Sequence, residues 1–203
     1  MRNLLHRLLF LFMLLLSFRM GITQSADQYD RWMAVLSAKK DPLSKNYNEL
    51  FTTLYEQDSQ NYCVILQKLK SEGPADQPRY TIRLNMLEGQ MLFYFKDCPG
   101  SGTSVDLFKK ALQVAYEIND EVLLFDLHRL MTMAYTNQIN FGSATMHALL
   151  AIDLADKLGR ENVNMGSNDW YLLGWVLFHS REYYASIRAV SYTHLTLPTI
   201  LRV

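Results

Sequence analysis

The chain has 203 residues, of which 49% are hydrophobic, 20% charged and 12% aromatic; that is enough apolar material for a core and excludes a disordered tail or a collagen-like fibre. Twenty basic side chains balance twenty acidic ones, so no charge excess advertises a nucleic-acid surface. Five prolines and nine glycines argue against a turn-dense sandwich.

Arg2 and Arg7 precede an apolar run from Leu8 to Phe18, closed by Arg19. These eleven residues fall short of the roughly 20 that a membrane span needs. A positive start, a short apolar stretch and then Gly21, Thr23, Ser25 and Ala26 make the pattern of a secretory signal peptide over about residues 1–23. Cleavage falls anywhere from Gly21 to Ala26, and an uncleaved anchor is the alternative.

Amphipathic helices follow. Trp32, Val35 and Leu36 share one helical face, with Asp27 placed to cap it. Leu50, Phe51, Leu54 and Tyr55 repeat the pattern after Pro42, and Ser59 is placed to cap a third helix that buries Tyr62, Cys63, Leu66 and Leu69. Residues 27–78 are thus an N-terminal helical section. Gly73, Pro74 and Asp76 mark a loop from Ser71 to Gln77. A fourth helix runs from about Arg79 to Phe95, and Pro99 to Ser104 is another break. Further helices are expected over Val105 to Ile118, Glu121 to Asn137, Phe141 to Leu158 and Asp169 to Ser180. Strand alternation is absent, so the expected fold class is all-α.

At the end of the chain, Val190-Ser191-Tyr192-Thr193-His194-Leu195-Thr196-Leu197-Pro198-Thr199 resembles, residue for residue, one reading frame of a transposon-derived adapter used in shotgun sequencing libraries. The native frame is therefore expected to end near Ala189, with 190–203 a non-native tail and the downstream part of the parent gene missing. Without the signal and the tail, four arginines and no acidic residue are lost, and the remainder carries a net charge of −4. That disfavours anionic partners.

Trp170, Leu173, Gly174 and Leu177, followed by Tyr183 and Ser186, are spaced as in the tetratricopeptide repeat, which the chain resembles over 79–189. His128, Met131, Thr132, Tyr135, Phe141, Ala144 and Ala151 form an earlier copy, and Ser104 with Ala111 a weaker one. The small positions Ser104, Ala144 and Ser186 are 40 and 42 residues apart, longer than the family's repeat of about 34. The resemblance implies antiparallel helix pairs stacked as an α-solenoid: Ala144 and its counterparts let paired helices approach, while Tyr135, Phe141 and Tyr183 fill adjacent space. An unrelated helical bundle is the alternative.

Candidate chemistry is sparse. His128, His147 and His179 offer no i, i+4 pair with a carboxylate set for zinc, so no metal or other cofactor is expected. The Gly-rich stretch Pro99 to Ser104 lacks the Gly-Lys-Ser/Thr of a phosphate loop; Thr103 or Ser104 is expected to cap the next helix instead. Cys63 and Cys98 permit one bridge in an oxidising compartment, but two small buried hydrophobes are the favoured reading. No catalytic set can be assembled from spacing.

A binding surface is the better expectation. The resemblance places the inner groove on Asp126, Arg129, Met133, Thr136 and Asn137, then on Asn168, Tyr171, Trp175, Phe178 and His179. The aromatics suit protein contacts, or else Trp175 and Phe178 await a following repeat. Export plus long repeats looks like the sensory N-terminal region of bacterial membrane-bound signalling proteins, in which a histidine kinase or helix-turn-helix module follows a membrane span. The partner implied is a protein, a peptide or a second protomer, with no nucleic acid, and the location periplasmic or extracytoplasmic. A free periplasmic or secreted adaptor is the alternative, and an exported glycan-processing enzyme comes third.

Overall fold

The computed structural model describes residues 29–38, 45–57, 62–95, 102–163 and 167–195, with backbone alone at 57, 95, 167, 168 and 192–195. Among the described residues there are nine α-helices and no strand. They are α1 (29–37), α2 (Lys45–Gln57), α3 (Tyr62–Glu72), α4 (Pro78–Phe95), α5 (Ser104–Glu117), α6 (Glu121–Asn137), α7 (Phe141–Leu158), α8 (Ser167–His179) and α9 (Tyr183–Leu195), with a 3₁₀ turn at Arg160–Asn162. The signal-like segment, the caps expected at Asp27 and Ser59, and Pro99 to Ser101 lie outside the described residues, as do Cys98 and 196–203. α9 continues to Leu195, into the adapter-like stretch.

The helix starts follow from their capping residues. The Thr103 side chain accepts from the Asp106 N–H at the head of α5, Asp120 from Leu123 at α6 and Asn140 from Ser143 at α7. Three interhelix turns are closed in one way. Asp120, Asn140 and Glu182 each send their N–H back five residues, to the carbonyls of Ala115, Tyr135 and Leu177. The residue before each, Asn119, Ile139 or Arg181, is left-handed with φ of 51°, 60° and 65°. None is glycine and only Asn119 is of the other type common at such ends, so the turns at Ile139 and Arg181 carry no sequence signature of the usual kind.

α4 packs most extensively on α5, α6 on α7 and α8 on α9, with smaller contacts joining one pair to the next. Contacts also run between alternate helices: α2 with α4, α4 with α6, α6 with α8, and α7 with α9. Ala111, Ala144, Ala148 and Ala151 are fully buried in these crossings, with Tyr135, Trp170, Leu173, Leu177 and Ser186 also inside. The Ser186 hydroxyl donates to the Gly174 carbonyl at 2.8 Å. A Cβ on Gly174 would meet Val190 Cγ1 at 2.4 Å, and one on Gly89 would meet Phe108 Cε1 at 2.3 Å. These two glycines mark close approaches inside the α4–α5 and α8–α9 pairs.

Two packing expectations need correction. Phe141 and Tyr183 are 37% and 53% exposed; each opens a helix just after a turn, where its ring meets Trp175 or Phe178 at the surface instead of filling buried space. Cys63 is disulfide-bonded, not a packing thiol, and the chain's other cysteine is Cys98.

Candidate functional site

The even-numbered helices share a face. On it lies a cavity of about 240 Å³ lined by Asn48 and Phe51 of α2, Gln90 and Tyr94 of α4, Arg129, Leu130 and Met133 of α6, and Asp169 of α8. Four helices thus contribute to one concavity. Arg129 Nη1 donates to Asp169 Oδ1 at 2.8 Å, tying α6 to α8 across its floor. The Tyr47 hydroxyl donates to Gln90 Oε1 at 2.5 Å behind it, tying α2 to α4.

The electrostatics keep this site charge-balanced. Burial alone would make the Arg129 guanidinium easier to deprotonate, but Asp169 and Asp126 outweigh it and hold the proton more firmly than usual. Burial pushes the Tyr47 phenol well up, with Asp126 adding to the effect and Arg129 and Arg83 opposing it. Tyr94 is raised by its own burial and then by Tyr55. Phe51, Tyr55 and Tyr94 form a ring cluster on the rim, with centroids 5.2 to 6.1 Å apart. Arg129 and Asp169 thus pair within the site, although the Arg129 Nε is buried without a hydrogen-bond partner, and the Tyr47 and Tyr94 phenols are held protonated.

The expected groove residues divide. Arg129 and Met133 line the cavity. Asp126 is buried beneath it and does not face an incoming chain. Thr136 turns its hydroxyl back to the Thr132 carbonyl, and Asn137 borders a separate hollow beside Leu92 and Thr103. Tyr171 is exposed on α8, and the Asn168 side chain lies outside the described residues. Trp175, Phe178 and His179 gather elsewhere, in a run of rings from Phe141 through Trp175 (6.0 Å), His179 (4.4 Å) and Phe178 (5.6 Å) to Tyr183 (5.6 Å).

Sequence reading missed Asn48, Phe51, Gln90, Tyr94, Leu130 and Asp169 as site residues. A usable signal existed for two of them. Gln90 and Tyr94 stand one and five residues after Gly89, as Trp175 and His179 stand after Gly174. Among the described residues no group of three or more His, Cys, Asp or Glu is placed to hold a metal ion, and no described helix is long and apolar enough to cross a membrane. No family model, curated protein or solved structure matches this chain.

Proposed function

We propose that this chain is a non-catalytic, tetratricopeptide-like module that binds a protein or peptide along the face of its even-numbered helices. The carrying observation is that α2, α4, α6 and α8 together line one cavity. A surface built by successive pairs suits an extended ligand that runs across them. Paired small-residue crossings 40 and 42 residues apart support the repeat reading. The disulfide at Cys63 supports an exported location, because such bonds persist in oxidising compartments. In this reading the module is the extracytoplasmic, sensory part of a membrane-bound signalling protein.

The binding test is selection of displayed random peptides on the purified protein, followed by affinity measurements on variants. Met133→Glu is expected to weaken selected peptides at least tenfold, while Asp153→Ala on the opposite side leaves them unchanged; binding indifferent to Met133→Glu refutes the assignment. The signalling part is tested on the parent gene. A stretch of about 20 apolar residues followed by a kinase-type or DNA-binding module supports it, and a stop codon without such a span supports a free adaptor.

A further inference from the structure

Two histidines separated by 19 residues, His128 on α6 and His147 on α7, meet in the core. They are 1% and 5% exposed, and their Nδ1 atoms lie 2.8 Å apart. That separation places one hydrogen between the two nitrogens, so one ring donates and the other accepts. The Tyr116 hydroxyl of α5 lies 2.9 Å from His128 Nε2. Hydroxyl and rings therefore form a three-membered chain that runs in either direction while the rings are neutral. The other groups facing the pair are Lys109 of α5, which bears on His147, and Tyr135 of α6, whose ring stacks on His147 at 5.6 Å and 17°. The surrounding set is one cation and two phenols, with no carboxylate among them.

We propose that His128 and His147 form an acid-sensitive latch between α6 and α7, closed while at least one ring is neutral and opened when both are protonated. In the doubly protonated state both Nδ1 atoms are donors, so the hydrogen bond is replaced by two like charges inside the core. Burial, joined by the other ring for His128 and by Lys109 for His147, lowers both groups to about 4 from an ordinary 6.5. The folded state thus prefers the neutral rings and the open state binds protons more readily. The latch's contribution is complete above about pH 6.5 and is lost as the pH falls toward about 4. Because α6 and α7 share the most extensive contact among the described helices, opening here uncovers a large part of the core.

The test combines hydrogen exchange with histidine NMR on the whole protein. At pH 5, an open state with ordinary histidines gains about thirtyfold per ring over the closed one. Amide protection in α6 and α7, corrected for intrinsic exchange, is therefore expected to fall at least tenfold between pH 7 and pH 5. A double variant, His128→Leu with His147→Leu, removes both partners together and is expected to keep its protection over that range. Equal losses in wild type and double variant overturn the latch. So do ring signals assigned to His128 and His147 in the intact wild-type protein that titrate near 6.5 with the fold unchanged, a readout that stands even if the double variant does not fold.

Discussion

Alanine at position 89 puts a methyl group where the Phe108 ring already lies. Its Cβ would sit 2.3 Å from Phe108 Cε1 and 2.9 Å from Cδ1 and Cζ, inside the range that real contacts avoid. Phe108 is fully buried, so the ring has no free space to turn into, and the α4–α5 crossing must widen or the ring must leave its rotamer. Overpacking of this kind costs about 1–3 kcal/mol. Against it stands the better helix propensity of alanine over glycine, about 1 kcal/mol. The net expectation for Gly89→Ala is a loss of up to about 2 kcal/mol, or a fall in Tm of up to roughly 8 °C for a chain of this size. Gly174→Ala meets Val190 Cγ1 at 2.4 Å, but its next contacts are at 3.6 and 3.7 Å and Val190 is only half-buried; one rotating methyl group relieves most of the clash, and the net change is close to zero. Gly142→Ala meets nothing within 4 Å, so it keeps the propensity gain and stabilises by up to about 1 kcal/mol. Urea denaturation followed by far-UV circular dichroism measures all three. A Gly89→Ala protein as stable as the Gly142→Ala protein refutes the view that a close helix approach at Gly89 sets the α4–α5 distance.

Ile139, at φ 60° and 77% exposed, holds a β-branched residue in the left-handed region at a cost of about 1–2 kcal/mol and buries little in return. Ile139→Gly, after the extra entropy of the unfolded glycine, is expected to raise stability by about 0.5–1 kcal/mol in the same urea assay. Arg83 Nη1 donates to the carbonyls of Val35, Leu36 and Ala38 at the end of α1. Arg83→Met removes charge-assisted bonds worth about 1.5–3 kcal/mol, so amides of 29–37 are expected to exchange at least tenfold faster, while those of α8 and α9 do not change. Reducing the Cys63 disulfide is expected to lower stability by about 2–4 kcal/mol; an unchanged denaturation midpoint with dithiothreitol counts against the bond.

Helix positions were readable in the sequence wherever a capping side chain and a break coincide. Thr103, Asp120 and Asn140 start α5, α6 and α7 within a residue of the expected places. The buried alanines were readable too, because small residues at a fixed spacing mean close packing whatever surrounds them. Gly89 escaped notice since Asn85 and Glu88 stand before it at the places that Trp170 and Leu173 hold before Gly174, and with it went Gln90 and Tyr94 of the cavity. The histidine pair was invisible for a different reason. A search for i, i+4 spacing finds only groups on one helix, whereas His128 and His147 are brought together by an antiparallel turn. Phe141 and Tyr183 were misplaced because periodicity locates a face but not the end of the helix that a neighbour covers.

The two kinds of contact in this chain differ in chemistry, and the difference bears on how it deforms. Within a pair the helices meet through alanine, glycine and large apolar groups, as Ala144 and Phe108 do, packing that is lost steeply when distances change. Between pairs the apolar core is continuous and ionic ties add to it: Arg129 to Asp169 joins α6 to α8, Arg188 to Asp153 and Asp156 joins α9 to α7, and Arg79 reaches from α4 to Asp120, while one further ion pair, Lys157 with Glu121, lies inside the α6–α7 pair. Charge attraction falls off slowly with distance, and the more exposed of these pairs are worth no more than about 1 kcal/mol each. Contacts between pairs are less extensive than those within them, so a bend applied to the chain is expected to be taken up between pairs first. The cavity reaches from α2 across α4 and α6 to α8, so a ligand filling it bears on those boundaries. His128 and His147 lie inside the α6–α7 pair, where a change of charge state in the core acts on the more extensively packed contact.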